Sequence, residues 1–308
     1  MKAAVQGRIV AAHGRHYVVE SDGGTRLTCF PRAKRSEYAC GDSVGIELTA
    51  SDQGRIVELG ERRTLLYRSD AFRQKLIAAN ATLVVAVVAT DPPFSDELLA
   101  RTLMAAEAGG LGTLIVLNKV DLADRLDAAR EQLQPYRALG HEVIELAAKR
   151  DASPLAAALA GQTAVLVGQS GMGKSTLINA LVPGARAATA EISQALASGR
   201  HTTTHTTLYP VDTHSAIIDS PGLQTFGLAH LQRHELEAAF REFRPYTGAC
   251  RFRDCNHRSE PDCAIRAALA EGRVQARRLE LFWRLCDELA FAGTRRDGGG
   301  ADRRSSPN

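Results

Sequence analysis

No apolar run in this sequence is long enough to cross a bilayer. The longest, Ala81–Ala89, falls well short of the roughly 20 residues that a membrane helix needs, and the stretch after Met1 lacks the apolar segment of a secretory signal. Membrane-spanning and exported classes are thereby excluded, and a cytoplasmic protein without a membrane partner is expected. Charge of one sign is also scarce, with 38 Lys and Arg against 35 Asp and Glu for a net +3. That balance permits a nucleic-acid partner without arguing for one. No internal repeat is visible, which removes solenoids and propellers. With 44% hydrophobic and 24% charged residues the composition is that of a folded protein. Only residues 293–308, with their Gly298-Gly299-Gly300 run, have nothing large and apolar to pack, and a disordered tail is expected there.

The remaining residues fall into three parts. Over residues 1–65, short β-rich runs at Arg8–Val10, Tyr17–Glu20, Arg26–Phe30, Ser43–Leu48 and Arg55–Leu59 are separated by turn signals such as Asp22-Gly23-Gly24 and Gly41-Asp42. Five closely spaced strands predict a small β-barrel of the OB type. Arg32, Lys34 and Arg35 then fall on a connecting loop, where they suit RNA phosphates and a solvated structural loop equally well. Residues 66–228 change character. Leu83–Ala89, Thr113–Leu117 and Ala164–Val167 are apolar throughout, as buried parallel strands are, while Glu97–Gly109 and Leu122–Leu139 read as helices. An α/β sheet covered on both faces follows. Residues 229–292 are mainly helical and close with a helix over Arg273–Phe291.

Gly168-Gln169-Ser170-Gly171-Met172-Gly173-Lys174-Ser175 fits G-x-x-x-x-G-K-[ST] between a strand ending at Val167 and a helical run over Thr176–Leu181. In such a phosphate loop the backbone N–H groups, and those of Thr176 at the helix start, surround the phosphates. Lys174 neutralises the β and γ groups, and the Ser175 hydroxyl ligates magnesium. A nucleoside triphosphate is expected here, with Lys174 also acting in catalysis. Asn118-Lys119-Val120-Asp121 stands at the carboxyl end of the strand over Thr113–Leu117, where open α/β sheets place ligand contacts. Asp121 would accept both guanine N1–H and the exocyclic amine, which adenine cannot offer, so the nucleotide is expected to be GTP or GDP. Asn118 would meet the base edge and tether the phosphate loop, and the Lys119 stem would pack along the ring. Taken alone, the tetrapeptide would serve equally as a helix-capping turn. Ala147-Ala148-Lys149 follows where a Ser-Ala-Lys base contact would stand, with Ala147 departing from the serine.

N-K-V-D precedes the phosphate loop, the reverse of an ordinary G domain, and no earlier phosphate loop exists; a circularly permuted P-loop GTPase domain accounts for the order. Switch candidates lie downstream. Within Gly199-Arg200-His201-Thr202-Thr203-Thr204-His205, Thr203 and Thr204 would reach magnesium and the γ-phosphate. Asp219 would hold magnesium through water, and the Gly222 amide would sense the γ-phosphate. Leu223 stands where many G proteins carry a water-orienting glutamine, so intrinsic hydrolysis should be slow. His205, Gln224 or a partner's group would then position the water.

Of the six cysteines, Cys29, Cys40 and Cys286 read as ordinary thiols, whereas Cys250-x4-Cys255-x-His257-x5-Cys263 supplies a closed tetrahedral set for one structural zinc. Arg251, Arg253, Arg258, Arg266, Arg273, Arg277 and Arg278 give this part a basic character that suits RNA or plain solvation.

The barrel, the order N-K-V-D, G-Q-S-G-M-G-K-S, G-R-H-T-T-T, D-S-P-G, and the final C-x4-C-x-H-x5-C together resemble the ribosome small-subunit-dependent GTPase A family from residue 1 to about 290. The resemblance implies a GTPase that binds the small (30S) ribosomal subunit and its rRNA late in assembly and is stimulated by that subunit. It also implies zinc and magnesium; a monomer is the default. Two alternatives remain at this point: a GTP-regulated RNA-binding module with negligible turnover, and a signalling GTPase acting on protein partners.

Overall fold

The computed structural model describes residues 4–14, 16–32, 38–69, 74–185, 206–220 and 227–298. The chain divides into two compact units, residues 1–67 with 76–225 and residues 68–75 with 226–308.

The first unit opens with strands β1 (Val5–Ala12), β2 (Tyr17–Ser21), β3 (Arg26–Pro31), β4 (Ser43–Leu48) and β5 (Gln53–Leu59). They hydrogen-bond in the order β1-β2-β3-β5-β4, and β4 returns to β1, closing a five-stranded barrel with no free edge along that ring. Strand alternation turns Ile9, Tyr17, Val19, Leu27, Cys29, Val44, Ile46 and Ile56 inward. Where strands cross tightly only glycine fits: a Cβ on Gly54 would lie 2.3 Å from Ile46 Cγ2. The barrel's exit is clipped by the buried Asp42 carboxylate, which accepts from Arg62 Nε and Nη2 and from Ala39 N, each at 2.7 Å. Strands β6 (Leu65–Ser69) and β7 (Gln74–Ala79) then form a separate two-stranded sheet that the sequence did not suggest.

The central sheet consists of β8 (Leu83–Ala89), β9 (Gly112–Asn118), β10 (Glu142–Glu145), β11 (Thr163–Val167), β12 (Thr206–Pro210) and β13 (Ala216–Asp219) in the spatial order β10-β9-β8-β11-β13-β12. All pairs are parallel except β12–β13. Strands that precede the phosphate loop lie on one side of β11 and those that follow it on the other, as a permuted chain requires. A bulge between Ile9 and Ala11 re-aims β1, so that Ala11 and Ala12 pair with Thr207 and Thr206 of β12. Barrel and central sheet thereby form one eleven-stranded sheet. Helices α1 (Asp96–Ala108), α2 (Leu126–Ala138), α3 (Ser153–Ala158) and α4 (Lys174–Leu181) complete this unit. The segment expected to be helical from Leu122 begins with a 3₁₀ turn, Ala123–Arg125, before α2.

The second unit holds α5 (Arg233–Ala239), α6 (Ala264–Ala270) and α7 (Ala276–Gly298). Phe240, Phe243 and Phe282 form its core, with Phe243 stacked on Phe240 at 4.8 Å and Phe282 edge-on to both at 5.4 and 5.3 Å. The expected tail from Gly293 needs correction. Helix α7 continues to Gly298, through residue types such as Arg295 and Arg296 that carry good helix propensity. No helix among the described residues is long and apolar enough to cross a membrane.

Candidate nucleotide site and metal centre

The phosphate loop leaves β11 at Gly168 and enters α4 at Lys174. Gly168 passes against the neighbouring strand so closely that a Cβ would lie 2.3 Å from Val87 O. Gly173 takes φ +94°, and a Cβ there would meet Asn118 Nδ2 at 2.2 Å. Both positions therefore admit glycine alone, one for space and the other for space and backbone together. Gly171 is likewise at φ +84°. Lys174 Nζ donates to Gly168 O at 2.5 Å and Gln169 O at 2.9 Å, beneath the loop's own carbonyls. Burial pulls the Lys174 ammonium below its ordinary pKa, offset in part by Asp219, and burial raises the Asp219 carboxyl, offset in part by Lys174. Each shift follows desolvation first and the partner second. Ser170 and Ser175 are exposed, Met172 is buried, and Thr176 is half-buried on the first turn of α4.

Asn118 ends β9 and is 2% exposed. Its Nδ2 donates to Met172 O at 2.9 Å, and its Oδ1 accepts from Lys119 N at 2.8 Å and Ala148 N at 3.0 Å. One carboxamide thus joins the phosphate loop, the base loop and the Ala147–Lys149 turn. Lys119 adopts a left-handed φ of +63°, and Val120 N reaches Leu146 O at 3.3 Å. A cleft of about 170 Å³ opens between these segments, lined by Asn118, Lys119, Asp121, Ala148, Lys149 and Thr176. Gly173 of the phosphate loop also lines it, and the structure adds Leu122 to its wall. Arg150 Nε stands 3.8 Å from Asp121 Oδ2 at the surface. Gln169 departs from a simple nucleotide contact, since its Oε1 accepts from Ser95 N at 2.7 Å on the approach to α1. Neither Leu122 nor Ser95 had a motif to mark it. Thr203, Thr204, His205, Gly222, Leu223 and Gln224 lie outside the described residues, as do Lys34 and Arg35 of the barrel loop; Arg32 is exposed.

In the second unit one ligand atom each from Cys250, Cys255, His257 and Cys263 falls within 4.8 Å of the others. A tetrahedral zinc with bonds of about 2.3 Å to sulfur and about 2.0–2.1 Å to nitrogen requires edges of about 3.8 Å (S–S) and about 3.6 Å (S–N). The observed edges are Cys250 Sγ–Cys263 Sγ 3.9 Å, Cys250 Sγ–His257 Nδ1 3.6 Å and His257 Nδ1–Cys263 Sγ 3.3 Å. His257 Nε2 lies 3.3 Å from Glu237 Oε2, the kind of carboxylate that orients a metal-bound imidazole. Burial, together with neighbouring Cys263 and Cys250, pushes the Cys255 thiol up to about 12, so only a cation would hold it as thiolate. These residues fit zinc.

The basic set around this centre requires a correction. Arg278 is 7% exposed, bonds Glu242 at 2.5 Å through Nε and stacks on Phe240, so it belongs to the core. Arg251 pairs with Asp262, Arg258 with Asp287 and Arg273 with Glu271. Arg277 bonds Gln275, while Arg253 and Arg266 are exposed.

The profile of the RsgA GTPase family matches residues 59–229. The small ribosomal subunit biogenesis GTPase RsgA of Burkholderia pseudomallei (strain K96243) is 58% identical over 290 residues, 92% of each chain. That of Paraburkholderia xenovorans (strain LB400) is 55% identical over 294 residues, covering 92% of this chain and 93% of its own. Among solved structures, YjeQ from Thermotoga maritima superposes with a TM-score of 0.71 at 28% identity, covering 93% of this chain and 98% of YjeQ. YloQ, a circularly permuted GTPase, shares the fold with a TM-score of 0.65 at 24% identity, covering 99% and 98%.

Proposed function

The chain belongs to the RsgA GTPase family, and from that premise we propose that it hydrolyses GTP in the biogenesis of the small ribosomal subunit, with turnover stimulated by the subunit. The observation that carries this reading is the Asn118 carboxamide, which ties phosphate loop, base loop and Ala148 turn around one cleft. In that cleft Asp121 selects guanine and Ala148 and Lys149 flank the base. The backbone of 168–176 receives the phosphates, and Lys174 leaves its loop carbonyls for the β and γ oxygens. Among the described residues only Lys174 offsets the burial of Asp219, a setting that favours a second cation. We assign Ser175, Asp219, Thr203 and Thr204 to magnesium, which supplies charge neutralisation on the phosphates when bound. Gly222 senses the γ-phosphate, and with Leu223 at the usual glutamine position we assign His205 to orienting the water. Cys250, Cys255, His257 and Cys263 hold one structural zinc. Residues 1–65 and 229–292, which flank a GTPase core at 66–228 in the sequence, serve as the rRNA-facing parts of a cytoplasmic monomer. The relatives' names, small ribosomal subunit biogenesis GTPase, favour this over a turnover-free RNA-binding module or a signalling role.

Asp121→Asn tests the base assignment. Xanthine carries a carbonyl where guanine carries its amine, so a carboxamide at 121 can donate to xanthine and no longer accepts guanine's second hydrogen. GTP affinity should fall at least about 100-fold while XTP binding appears. Unchanged GTP affinity would remove Asp121 from the base site.

A further inference from the structure

The side chain of Gln169 bonds outside the phosphate loop. Its Oε1 accepts from the backbone of Ser95 at 2.7 Å, and Ser95 in turn caps α1 through an Oγ that accepts from Leu98 N at 3.2 Å. The connection running from Thr90 to Ser95 is fastened at its other end to the base loop. Thr90 N donates to Asn118 O at 3.2 Å, Thr90 Oγ1 to Lys119 O at 2.8 Å, and Lys119 Nζ to Asp91 O at 2.6 Å. Midway, the Pro92 ring lies along the phosphate loop, where a Cβ on Gly171 would be 3.4 Å from its Cδ and Cγ. Together with the bond from Asn118 Nδ2 to Met172 O, these contacts close a ring: phosphate loop, 90–95 connection, base loop and back.

A guanine nucleotide in the cleft would touch both loops, and its affinity depends on their spacing being set before it arrives. Resting on the nucleotide-site reading above, we propose that Gln169 is a positioning residue: its side-chain carbonyl fixes the phosphate loop to Ser95, so that the 90–95 connection braces phosphate loop against base loop. Only an acceptor is required of residue 169. Methionine matches glutamine in length and offers no comparable acceptor, leaving the Ser95 N–H unpaired. From the other side, Ser95→Pro removes that N–H at a φ of −78°, within proline's range, at the added cost of the Oγ cap.

The test measures binding of methylanthraniloyl-GDP to the full chain by fluorescence, alongside Tm, for wild type, Gln169→Met, Ser95→Pro and the double variant. Glu97→Ala, which breaks the Glu97–Arg101 pair in the first turn of α1, serves as a control for general weakening of that helix. The brace predicts that each brace variant loosens GDP about fivefold to tenfold, and that the double variant loosens it no further than the weaker single. Glu97→Ala should leave affinity unchanged. With small subunits present, Gln169→Met should raise KM for GTP and keep kcat within twofold. Wild-type GDP affinity in Gln169→Met, or full additivity in the double variant, overturns the brace. If wild type fails to bind the labelled GDP, the nucleotide-site reading itself falls.

Discussion

A single buried carboxamide at Asn118 uses both its donor and its acceptor side, and its loss would strand Met172 O, Lys119 N and Ala148 N together. Buried polar groups left without partners cost about 1–3 kcal/mol each, which is why this residue has a structural task as well as a ligand-facing one. Its identity and its tie to the phosphate loop were legible from N-K-V-D, but its bond from Ala148 N, 30 positions away, was not. Cys40 carries a different residue-scale consequence. Fully buried with its Sγ toward Ile9 O and Val10 O, its thiol is pushed up to about 12 from 9.0. The unfolded chain therefore loses this proton first. Stability from Cys40 is complete below pH 9 and is lost as pH rises toward 12, by up to about 1.4 kcal/mol per pH unit. Urea unfolding of wild type and Cys40→Ala between pH 8 and 10.5 should show a shallower alkaline decline in the variant. Parallel curves would show that the thiol ionises equally in both states.

At the scale of elements, the phosphate loop was readable because its residue types stand in one short run, although what fixes its glycines is distant in sequence: a Cβ on Gly168 would lie 2.3 Å from Val87 O and one on Gly173 2.2 Å from Asn118 Nδ2. Strands such as β12 were not. Thr206–Pro210 is short and ends in proline, and besides its hairpin with β13 it pairs through Thr206 and Thr207 with β1, from the far end of the sequence. Arg278 misled for a related reason, since its burial against Glu242 and Phe240 depends on how α7 is packed. The Cys/His centre was readable from spacing, and its measured edges allow a sharper expectation. Without a cation, burial favours the protonated Cys255 thiol at neutral pH, whereas a zinc-bound thiolate has given up its proton. Chelation at pH 7 should therefore release one zinc per chain with uptake of protons, seen as a buffer-dependent heat, and should abolish the cooperative melting of residues 226–298. Melting that is insensitive to chelator, or purified chain without stoichiometric zinc, would contradict a structural metal here.

Across the whole molecule, the barrel strand β1 bonds directly to β12, which lies immediately downstream of residues 186–205, the stretch containing Thr203, Thr204 and His205. The permutation itself was legible, because a base motif standing ahead of the phosphate loop is what moving the chain ends of a G domain produces. The joining of barrel and sheet was not, since it is an edge-to-edge pairing with no local sequence mark. Hydrolysis governed by a ribosomal partner is the central claim. It is tested most directly by GTP turnover of the full chain with purified small ribosomal subunits, with large subunits, and alone, alongside Lys174→Ala and His205→Ala. Slow turnover alone is predicted, with a rise of more than tenfold with small subunits only, and loss of that rise in both variants. Equal, low turnover under all three conditions would contradict it.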